Sequence, residues 1–360
     1  MLRRTLLGTG LAAGAASPLA APAVLRAQEV KRWRMVTSWP KNLPGPGVSA
    51  ERVAERIGRL SGGRLRVEVF GAGELVPALE VMDAVGDGVA EMGHTAAVFW
   101  MGKRKVSALF LAVPFGLTPG EHAAWIEHGG GQALWDELYG DFSVKPFMAG
   151  NTGMSMGGWF RYELHSAKDL KGLRFRMPGL GGELYGALGI VQVSMAPGET
   201  LQALQAGTID AAEFAGPSSD LALGFHEAAS FYYWPGLHEP NGTGEAIVAL
   251  DEWHALDDEL RAIVEHACAA EHAFALAESE RRNAEALAKL TGELGVTLKR
   301  FPRDIEEAAA RAADDVLDQF ADMGNLESRI HGSYRAALQR GAQWPTVSIQ
   351  AFLEARNRAS

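Results

Sequence analysis

Short strand-like runs alternate with helix-like stretches along the first 250 residues, and this alternation constrains the fold more than any other feature. Trp33–Ser38 and Leu65–Phe70 have the apolar pattern of strands, and Ala50–Leu60 between them has the apolar spacing of a helix. Further strands are predicted at Ala90–Phe99, Val144–Met148, Leu173–Met177, Val191–Met195, Ile209–Phe214, Ala246–Leu250 and Gly295–Phe301. Further helices are predicted at Leu79–Val85, Gly182–Leu188 and Glu199–Ala206. This rhythm predicts an α/β protein with parallel sheets flanked by helices.

The length of 360 residues predicts two lobes, because one hydrophobic core does not usually extend over a chain of this size. The last third changes character and is rich in Ala, Glu, Leu and Arg. Long helices are predicted there at Glu252–Leu290, Asp304–Met323 and Leu326–Gln339. We therefore expect two α/β halves followed by a mainly helical C-terminal third.

Charge and cysteine content exclude several classes of protein. The formal net charge is −10, and the chain has no basic run of the length that binds nucleic acid. Cys268 is the single cysteine, so no intramolecular disulfide can form, and no Cys/His group has zinc-site spacing. The composition is that of an ordinary globular protein.

Residues 1–27 have the pattern of a bacterial secretory signal. Arg3 and Arg4 precede a short apolar stretch, Leu6–Ala16, and small residues up to Ala27 offer cleavage points. The arginine pair favours the twin-arginine route, with the general secretory route as the alternative. The apolar stretch is shorter than the roughly 18 residues a membrane-spanning helix needs. We therefore expect a periplasmic protein whose signal peptide is removed.

One motif suggests an enzyme. The segment Gly153–Gly157 reads G-x-S-x-G around Ser155, and the histidine–glycine run at 128–131 resembles the oxyanion-hole motif of lipases. A serine esterase would need Ser155 at a sharp turn between a strand and a helix. The following residues, Gly157–Phe160, indicate another strand, so this alternative is disfavoured.

Three segments, in this order, resemble the periplasmic substrate-binding proteins of tripartite ATP-independent (TRAP) transporters, the DctP family. These are Ala84–Gly93, Asp169–Pro178 and Ala203–Glu213. Within that family the chain is most similar to the branch that binds α-keto and α-hydroxy acids. The segments that carry this closer similarity are Gly150–Phe160, Arg176–Gly189 and Tyr232–Pro240.

The resemblance implies a two-lobed periplasmic-binding-protein fold with a hinge of crossing strands, a long connecting helix and a helical C-terminal tail. Lobe I would comprise residues 28–152 with about 244–285, and lobe II residues 153–243 with about 286–323. The implied function is capture of a small organic acid, most simply a 2-oxo or 2-hydroxy monocarboxylate. The acid would pass to the small and large integral membrane subunits of a TRAP transporter. A free-standing extracytoplasmic sensor is an alternative that the sequence leaves open.

The resemblance also implies roles for individual residues. Arg176 would hold the ligand carboxylate, since a guanidinium donates two parallel hydrogen bonds to one carboxylate. Glu213, the carbonyl of Phe214 and Glu239 would hold a cation beside the ligand. These oxygen donors suit Ca²⁺ or Na⁺. The cation would offset the excess negative charge of two glutamates and a ligand carboxylate facing one arginine.

Two positions depart from the pattern of the branch. Ser155 stands where a glutamine is expected, and its single hydroxyl is too short to reach both the ligand and the cation. Phe214 replaces the usual tryptophan but retains the main-chain carbonyl. Ser155, through its hydroxyl, and Asn151 are further candidates for ligand binding. His94 and His238 are left out of the predicted site, because a lone histidine is more often part of a structural hydrogen bond.

The tail, residues 324–360, resembles the segment that some members of this branch exchange to form dimers. Isolated apolar residues between Val347 and Phe352 would need a partner surface. We therefore expect a homodimer, with packing of the tail on its own subunit as the alternative.

Overall fold

The strands form two separate mixed sheets. The structure, a computed structural model, describes residues 30–359, so the predicted signal peptide at residues 1–27 lies outside the described residues. The strands are β1 (Lys31–Thr37), β2 (Leu65–Phe70), β3 (Met92–Thr95), β4 (Val144–Asn151), β5 (Gly158–Phe160), β6 (Arg174–Arg176), β7 (Val191–Val193), β8 (Ala211–Ala212), β9 (Phe231–Trp234), β10 (Thr243–Ala249) and β11 (Thr297–Arg300).

Helices surround both sheets, and the longest has 35 residues. They are α1 (Pro46–Leu60), α2 (Val81–Gly86), α3 (Pro119–His128), α4 (Gly131–Gly140), α5 (Gly179–Ala187), α6 (Thr200–Ala206), α7 (Pro217–Ala222), α8 (Leu250–His254), α9 (Asp258–Gly292), α10 (Arg303–Asp318), α11 (Asn325–Gly341), α12 (Gln343–Pro345) and α13 (Ala351–Ala359). Short 3₁₀ segments include Ala97–Trp100 and Lys105–Phe110.

The first sheet has the order β2-β1-β3-β10-β4 and the second the order β11-β9-β5-β8-β6-β7. In the first, β10 runs antiparallel to both β3 and β4. In the second, β5 runs antiparallel to β8 and β9. The expectation of parallel sheets was therefore wrong for β5 and β10 and right for the other strand pairs, and the two-lobed α/β fold was confirmed. The antiparallel strands arise where the chain passes from one sheet to the other.

The chain crosses between the sheets in two neighbouring segments. One leads from β4 to β5, and the other leads from β9 back to β10. The two segments are hydrogen-bonded to each other, because Thr152 N donates to Gly242 O at 3.0 Å and Ser155 N donates to Glu239 O at 3.1 Å. These two paired segments, each between strands of the two sheets, form the expected hinge.

The long helix α9 connects both sheets. Its first half packs Val264 and Cys268 into the core beside the first sheet, and Leu290 near its end packs beside the second. The structure divides the helix predicted at Glu252–Leu290 into α8 and α9. Asp257 lies between them and caps the start of α9 by accepting a 2.7 Å hydrogen bond from Leu260 N.

The C-terminal tail is helical, as expected. Its first part, α11, packs on the chain's own first lobe, where Ile330 and Tyr334 are buried and Leu117 N donates to the Tyr334 hydroxyl at 2.9 Å. Among residues 30–359, none of the helices combines the length and the apolar character of a membrane-spanning segment.

The two lobes contact each other across the cleft between the sheets. Ser219 Oγ donates to Pro44 O at 2.9 Å, and Lys105 Nζ lies 2.8 Å from Glu183 Oε1. The structure is therefore that of a closed two-lobed protein. The lobe boundaries predicted from the sequence remain a prediction.

Candidate functional site

A cleft between the two sheets contains most of the residues that the sequence singled out. It lies where β4, β6 and the two crossing segments meet. Its lining includes Trp39, Phe99, Asn151, Arg176, Phe214 and Glu239. Aromatic and aliphatic side chains form much of its wall, and the charged groups lie on the side of the second sheet.

Arg176 is the last residue of β6 and points its guanidinium into this cleft, although only 1% of the residue is exposed. Its Nη1 donates to the carbonyl of Glu213, and Nη2 lies 3.4 Å from the carbonyl of Met195. Glu213 N in turn donates to Arg176 O at 3.0 Å, so the two residues are fixed to each other by their backbones. The third guanidinium nitrogen, Nε, has no hydrogen-bond partner among the described residues.

Glu213 and Glu239 lie together next to Arg176. Glu213 Oε2 is 3.9 Å from Arg176 Nη1, and Glu213 Oε1 has no hydrogen-bond partner within residues 30–359. Ligand atoms of Glu213, His238 and Glu239 all lie within 4.8 Å of one another. A buried carboxylate oxygen without a donor is costly, and a cation would compensate it. The residues present therefore fit a cation with oxygen ligands such as Ca²⁺ or Na⁺.

Ser155 contacts Glu239 directly. Its hydroxyl donates to Glu239 Oε1 at 2.9 Å, and both groups belong to the crossing segments. The G-x-S-x-G motif lies between β4 and β5, so Ser155 follows one strand and precedes another. The strand-to-helix turn that the esterase alternative requires is not formed at Ser155.

The side chain of Asn151 is engaged in the hinge. Its Nδ2 donates to Asn241 Oδ1 at 2.9 Å, and its Oδ1 accepts a 2.8 Å hydrogen bond from Gly153 N. Asn241 Nδ2 continues this network to the Thr243 hydroxyl at 2.9 Å. Asn151 borders the cleft, but these contacts hold the crossing segments together.

The ring of Phe214 forms part of the cleft wall. Its centroid lies 6.2 Å from that of Trp39 in the opposite lobe and 5.8 Å from the Arg176 guanidinium carbon. Trp39 itself is held by a 2.9 Å hydrogen bond from its Nε1 to His94 Nδ1. His94 therefore takes part in a structural hydrogen bond, as expected for a lone histidine.

A buried aspartate supports the segment that carries Glu213 and Phe214. Asp220 accepts hydrogen bonds from Trp159 Nε1 at 2.9 Å and from the Tyr232 hydroxyl at 2.7 Å, and Ala215 N lies 3.3 Å from its Oδ1. Burial raises the pKa of Asp220 to about 7, against the opposing effect of these donors. No motif in the sequence marks Asp220, since its partners lie up to 61 positions away.

The electrostatics of the site favour an additional positive charge. Burial lowers the pKa of the Arg176 guanidinium, while the charges of Glu213 and Glu239 oppose this shift. Burial also raises the pKa of Glu239 well above its ordinary range, and the neighbouring charge of Glu213 raises it further. Two carboxylates in this largely buried site thus repel each other, and a cation relieves the repulsion.

His238 is the residue of this cluster that the sequence analysis left out. Its Nε2 lies 3.4 Å from Glu213 Oε1, and the residue is 3% exposed. The signal in the sequence was its position next to Glu239. Metal sites are recognised in a sequence by the separation between two or more ligands. His238 has no second histidine at such a separation, and Glu213 is 25 residues away in the chain.

Comparisons with known proteins agree with this architecture. Residues 37–323 match the family DctP, described as bacterial extracellular solute-binding protein, family 7. The chain is also 38% identical over 354 residues to a monocarboxylate 2-oxoacid-binding periplasmic protein of Nostoc sp., and the alignment covers 97% of both chains.

Two solved structures are similar throughout. One is a TRAP transporter solute-binding protein from Bordetella bronchiseptica RB50, a mixed-occupancy dimer with copurified calcium and picolinate. It has a TM-score of 0.89 at 35% identity, covering 92% of this chain and 100% of the other. The other is a TRAP periplasmic solute-binding protein from Pseudoalteromonas atlantica T6c with bound sodium and pyruvate. Its TM-score is 0.87 at 34% identity, covering 91% of this chain and 99% of the other.

Proposed function

The chain belongs to the DctP family of bacterial extracellular solute-binding proteins, and on that premise we propose that it captures a 2-oxo or 2-hydroxy monocarboxylate together with a cation. The observation that carries this proposal is the buried guanidinium of Arg176 beside the paired carboxylates of Glu213 and Glu239 in the interlobe cleft. The similar proteins bind pyruvate with sodium, or picolinate with calcium. Both ligands carry one carboxylate and, next to it, a second atom with a lone pair that can bind the cation.

Arg176 binds the ligand carboxylate in this proposal. Its Nε faces no protein acceptor among the described residues, so a carboxylate would satisfy a donor that is otherwise buried without a partner. The interaction is charge-assisted, and the closed cleft shields it from water. Asn151 would support ligand binding without contacting the ligand, because its hydrogen bonds hold the crossing segments of the hinge together.

Glu213, Glu239 and the carbonyl of Phe214 hold the cation. The two carboxylates and the ligand carboxylate carry three negative charges against one from Arg176, so a cation brings the enclosed site closer to neutrality. The hydroxyl of Ser155 orients Glu239 toward this cation, at 2.9 Å from Oε1. In this arrangement Ser155 contacts the ligand only through Glu239 and the cation.

In this proposal, closure of the lobes encloses the ligand and prepares the protein to pass it to the transporter. A ligand that contacts both lobes favours the closed form by the contacts it gains there. The closed form would then be recognised by the small and large membrane subunits of a TRAP transporter, in the periplasm, after removal of residues 1–27. The lobe assignment is part of this proposal: residues 28–152 with about 244–285 form lobe I, and residues 153–243 with about 286–323 form lobe II.

A thermal-shift screen of the metal-stripped protein tests this function. It compares 2-oxo, 2-hydroxy and dicarboxylic acids, each with Na⁺, Ca²⁺ or chelator. An acid at one hundred times its dissociation constant adds about 2.7 kcal/mol of stability, which raises Tm by several degrees. We expect the shift to require both a monocarboxylate and a cation. If no acid shifts Tm under any condition, the proposed function is wrong.

A further inference from the structure

His238 is a buried imidazole whose two ring nitrogens both lack a hydrogen-bond partner in the described part of the chain. Buried imidazoles nearly always have a partner on at least one nitrogen, because an unsatisfied polar atom costs about 1–3 kcal/mol. His238 is 3% exposed, so bulk solvent does not satisfy it. Glu213 Oε1 lies 3.4 Å from Nε2 without forming a hydrogen bond, so the ring can still bind a group that is not part of the protein.

Neighbouring segments fix the imidazole of His238 next to Glu213 and Glu239. A Cβ at Gly181 would lie 2.9 Å from His238 Cβ and 3.0 Å from Cδ2, so helix α5 approaches the histidine closely only because glycine stands there. On the other side, Phe115 N donates to Leu237 O at 2.9 Å. These contacts fix the segment that carries His238 and Glu239.

The distances suit a single ion shared by three side chains. His238 Nε2 lies 3.4 Å from Glu213 Oε1, and the ligand atoms of Glu213, His238 and Glu239 are all within 4.8 Å of one another. Ligands on opposite sides of an ion with bonds of about 2.0–2.6 Å are about 4–5 Å apart. Neighbouring ligands are closer, so all three side chains can bind one ion.

We propose that His238 donates an imidazole nitrogen to the cation, and that the site therefore accepts first-row divalent ions such as Mn²⁺ or Co²⁺ as well as Ca²⁺. This inference rests on the proposed function, because it concerns the same cation. A nitrogen donor adds little for Na⁺ or Ca²⁺, which prefer oxygen, whereas Mn²⁺ and Co²⁺ bind imidazole and carboxylate together. The alternative is a structural pair in which His238 contacts only Glu213.

Pulsed electron paramagnetic resonance of the Mn²⁺-loaded protein distinguishes these arrangements. The metal-stripped protein is loaded with Mn²⁺ alone and with Mn²⁺ plus pyruvate, and ¹⁴N couplings to the ion are recorded. We expect a directly bound imidazole nitrogen in the unaltered protein and none in His238→Gln. The matched control is His226→Gln, which removes another histidine of the second lobe that has an unpartnered ring nitrogen in the described part of the chain and should leave the coupling unchanged.

Metal titrations give a second readout. His238→Gln should weaken Mn²⁺ and Co²⁺ binding by about tenfold or more, while Ca²⁺ affinity changes by less than about threefold. A ¹⁴N coupling absent from the unaltered protein with Mn²⁺ bound, or retained in His238→Gln, overturns the inference. The first of these outcomes does not depend on any variant folding.

The failure of this inference is distinguishable from failure of the proposed function. Stabilisation by pyruvate with Ca²⁺, without a nitrogen coupling to Mn²⁺, rejects His238 as a ligand and leaves the acid-binding function in place. If neither pyruvate nor any other acid stabilises the protein with any cation, the function itself is rejected.

Discussion

The Ser155 hydroxyl donates a hydrogen bond of 2.9 Å to Glu239 Oε1 and thereby joins the two segments that connect the sheets. The backbone repeats the connection, since Ser155 N donates to Glu239 O at 3.1 Å. A short side chain at position 155 thus positions a carboxylate of the candidate cation site. The serine, where the resemblance implies a glutamine, therefore contacts the candidate cation site through Glu239.

Replacement of Ser155 by alanine should therefore weaken binding of the cation and the acid together. A hydrogen bond to a charged group contributes about 1.5 kcal/mol or more, so we expect roughly a tenfold loss of affinity for each. Isothermal titration with Ca²⁺ and pyruvate measures both. Ser279→Ala is the control, because the Ser279 hydroxyl donates to Leu276 O within α9. An unchanged cation affinity in Ser155→Ala would show that Glu239 does not need this hydrogen bond.

Arg176→Lys should abolish most acid binding while keeping the positive charge. Lysine cannot donate two parallel hydrogen bonds to a carboxylate, and we expect affinity for pyruvate to fall about ten- to a hundredfold. Arg174→Gln on the same strand is the matched control. Arg174 forms a 2.7 Å ion pair with Asp210 and its side chain is 43% exposed, so its loss should leave binding unchanged. Equal pyruvate affinities in Arg176→Lys and the unaltered protein would contradict the assignment of Arg176.

The sequence was sufficient to predict Arg176, Glu213 and Glu239 as neighbours, but only because the order of motifs resembled a known family. The spacing of apolar residues alone predicted most strands and long helices. It failed where contacts with distant parts of the chain determine the local structure. The predicted strand Ala90–Phe99 ends as β3 at Thr95, and the chain continues as the 3₁₀ segment Ala97–Trp100. The strand β9 was not predicted, although Phe231–Trp234 is aromatic and suited to a sheet.

Residues that act through distant partners were the hardest to predict. Neither Asp220 nor His238 belongs to a metal-ligand or catalytic motif in the sequence, and only folding brings Trp159 to the first and Glu213 to the second. Likewise, the antiparallel direction of β10 follows from the return of the chain to the first sheet. Local patterns carry no information on such crossings.

Weakening the contact between Lys105 and Glu183 should reduce affinity slightly by opening the cleft. Lys105 Nζ lies 2.8 Å from Glu183 Oε1 in the other lobe, and Gln319 contacts both side chains. Both charged groups are partly exposed, and such pairs contribute about 0.2–1 kcal/mol. We therefore expect Lys105→Met to weaken acid binding by at most about fivefold. A double-mutant cycle with Glu183→Gln measures the coupling, and additive effects would mean that the pair does not stabilise closure.

Glu245→Gln should change the pH dependence of stability. Glu245 is 1% exposed and accepts 2.8 Å hydrogen bonds from Trp100 Nε1 and the Tyr139 hydroxyl. Both donors are neutral, and burial raises the pKa of Glu245 from 4.5 to about 7. The folded state therefore holds a proton that the unfolded state releases, and the contribution of Glu245 to stability falls as pH rises from about 4.5 to 7.

An amide at position 245 cannot ionise, so the Glu245→Gln variant lacks this loss. Relative to that variant, the unaltered protein should lose about 3 kcal/mol of unfolding free energy between about pH 4.5 and 8. Urea unfolding across that range measures the difference. Glu137→Gln is the control, because Arg329 lowers the pKa of this exposed glutamate. A constant difference between the Glu245→Gln variant and the unaltered protein would show that Glu245 is not protonated in the folded state.

Removal of residues 342–360 should convert a dimer into a monomer that still binds the acid. The preceding helix α11 is anchored to its own lobe through Tyr334, but the residues beyond it expose large apolar side chains. Trp344 is 72% exposed, Val347 71% and Phe352 64%. Exposure of several such side chains on one short segment is costly in water and indicates a protein partner, which we expect to be a second copy of the chain.

Sedimentation equilibrium at micromolar concentration measures this directly. We expect the mass of two chains for the full protein and of one chain for the truncated form. The control is the full-length double variant Trp344→Ser and Phe352→Ser, which keeps the tail but removes much of its apolar surface, and should also be monomeric. Titration with pyruvate and Ca²⁺ should give similar affinities for all three proteins, because the cleft residues lie outside the tail. A monomeric full-length protein at these concentrations would mean that the exposed side chains have another partner.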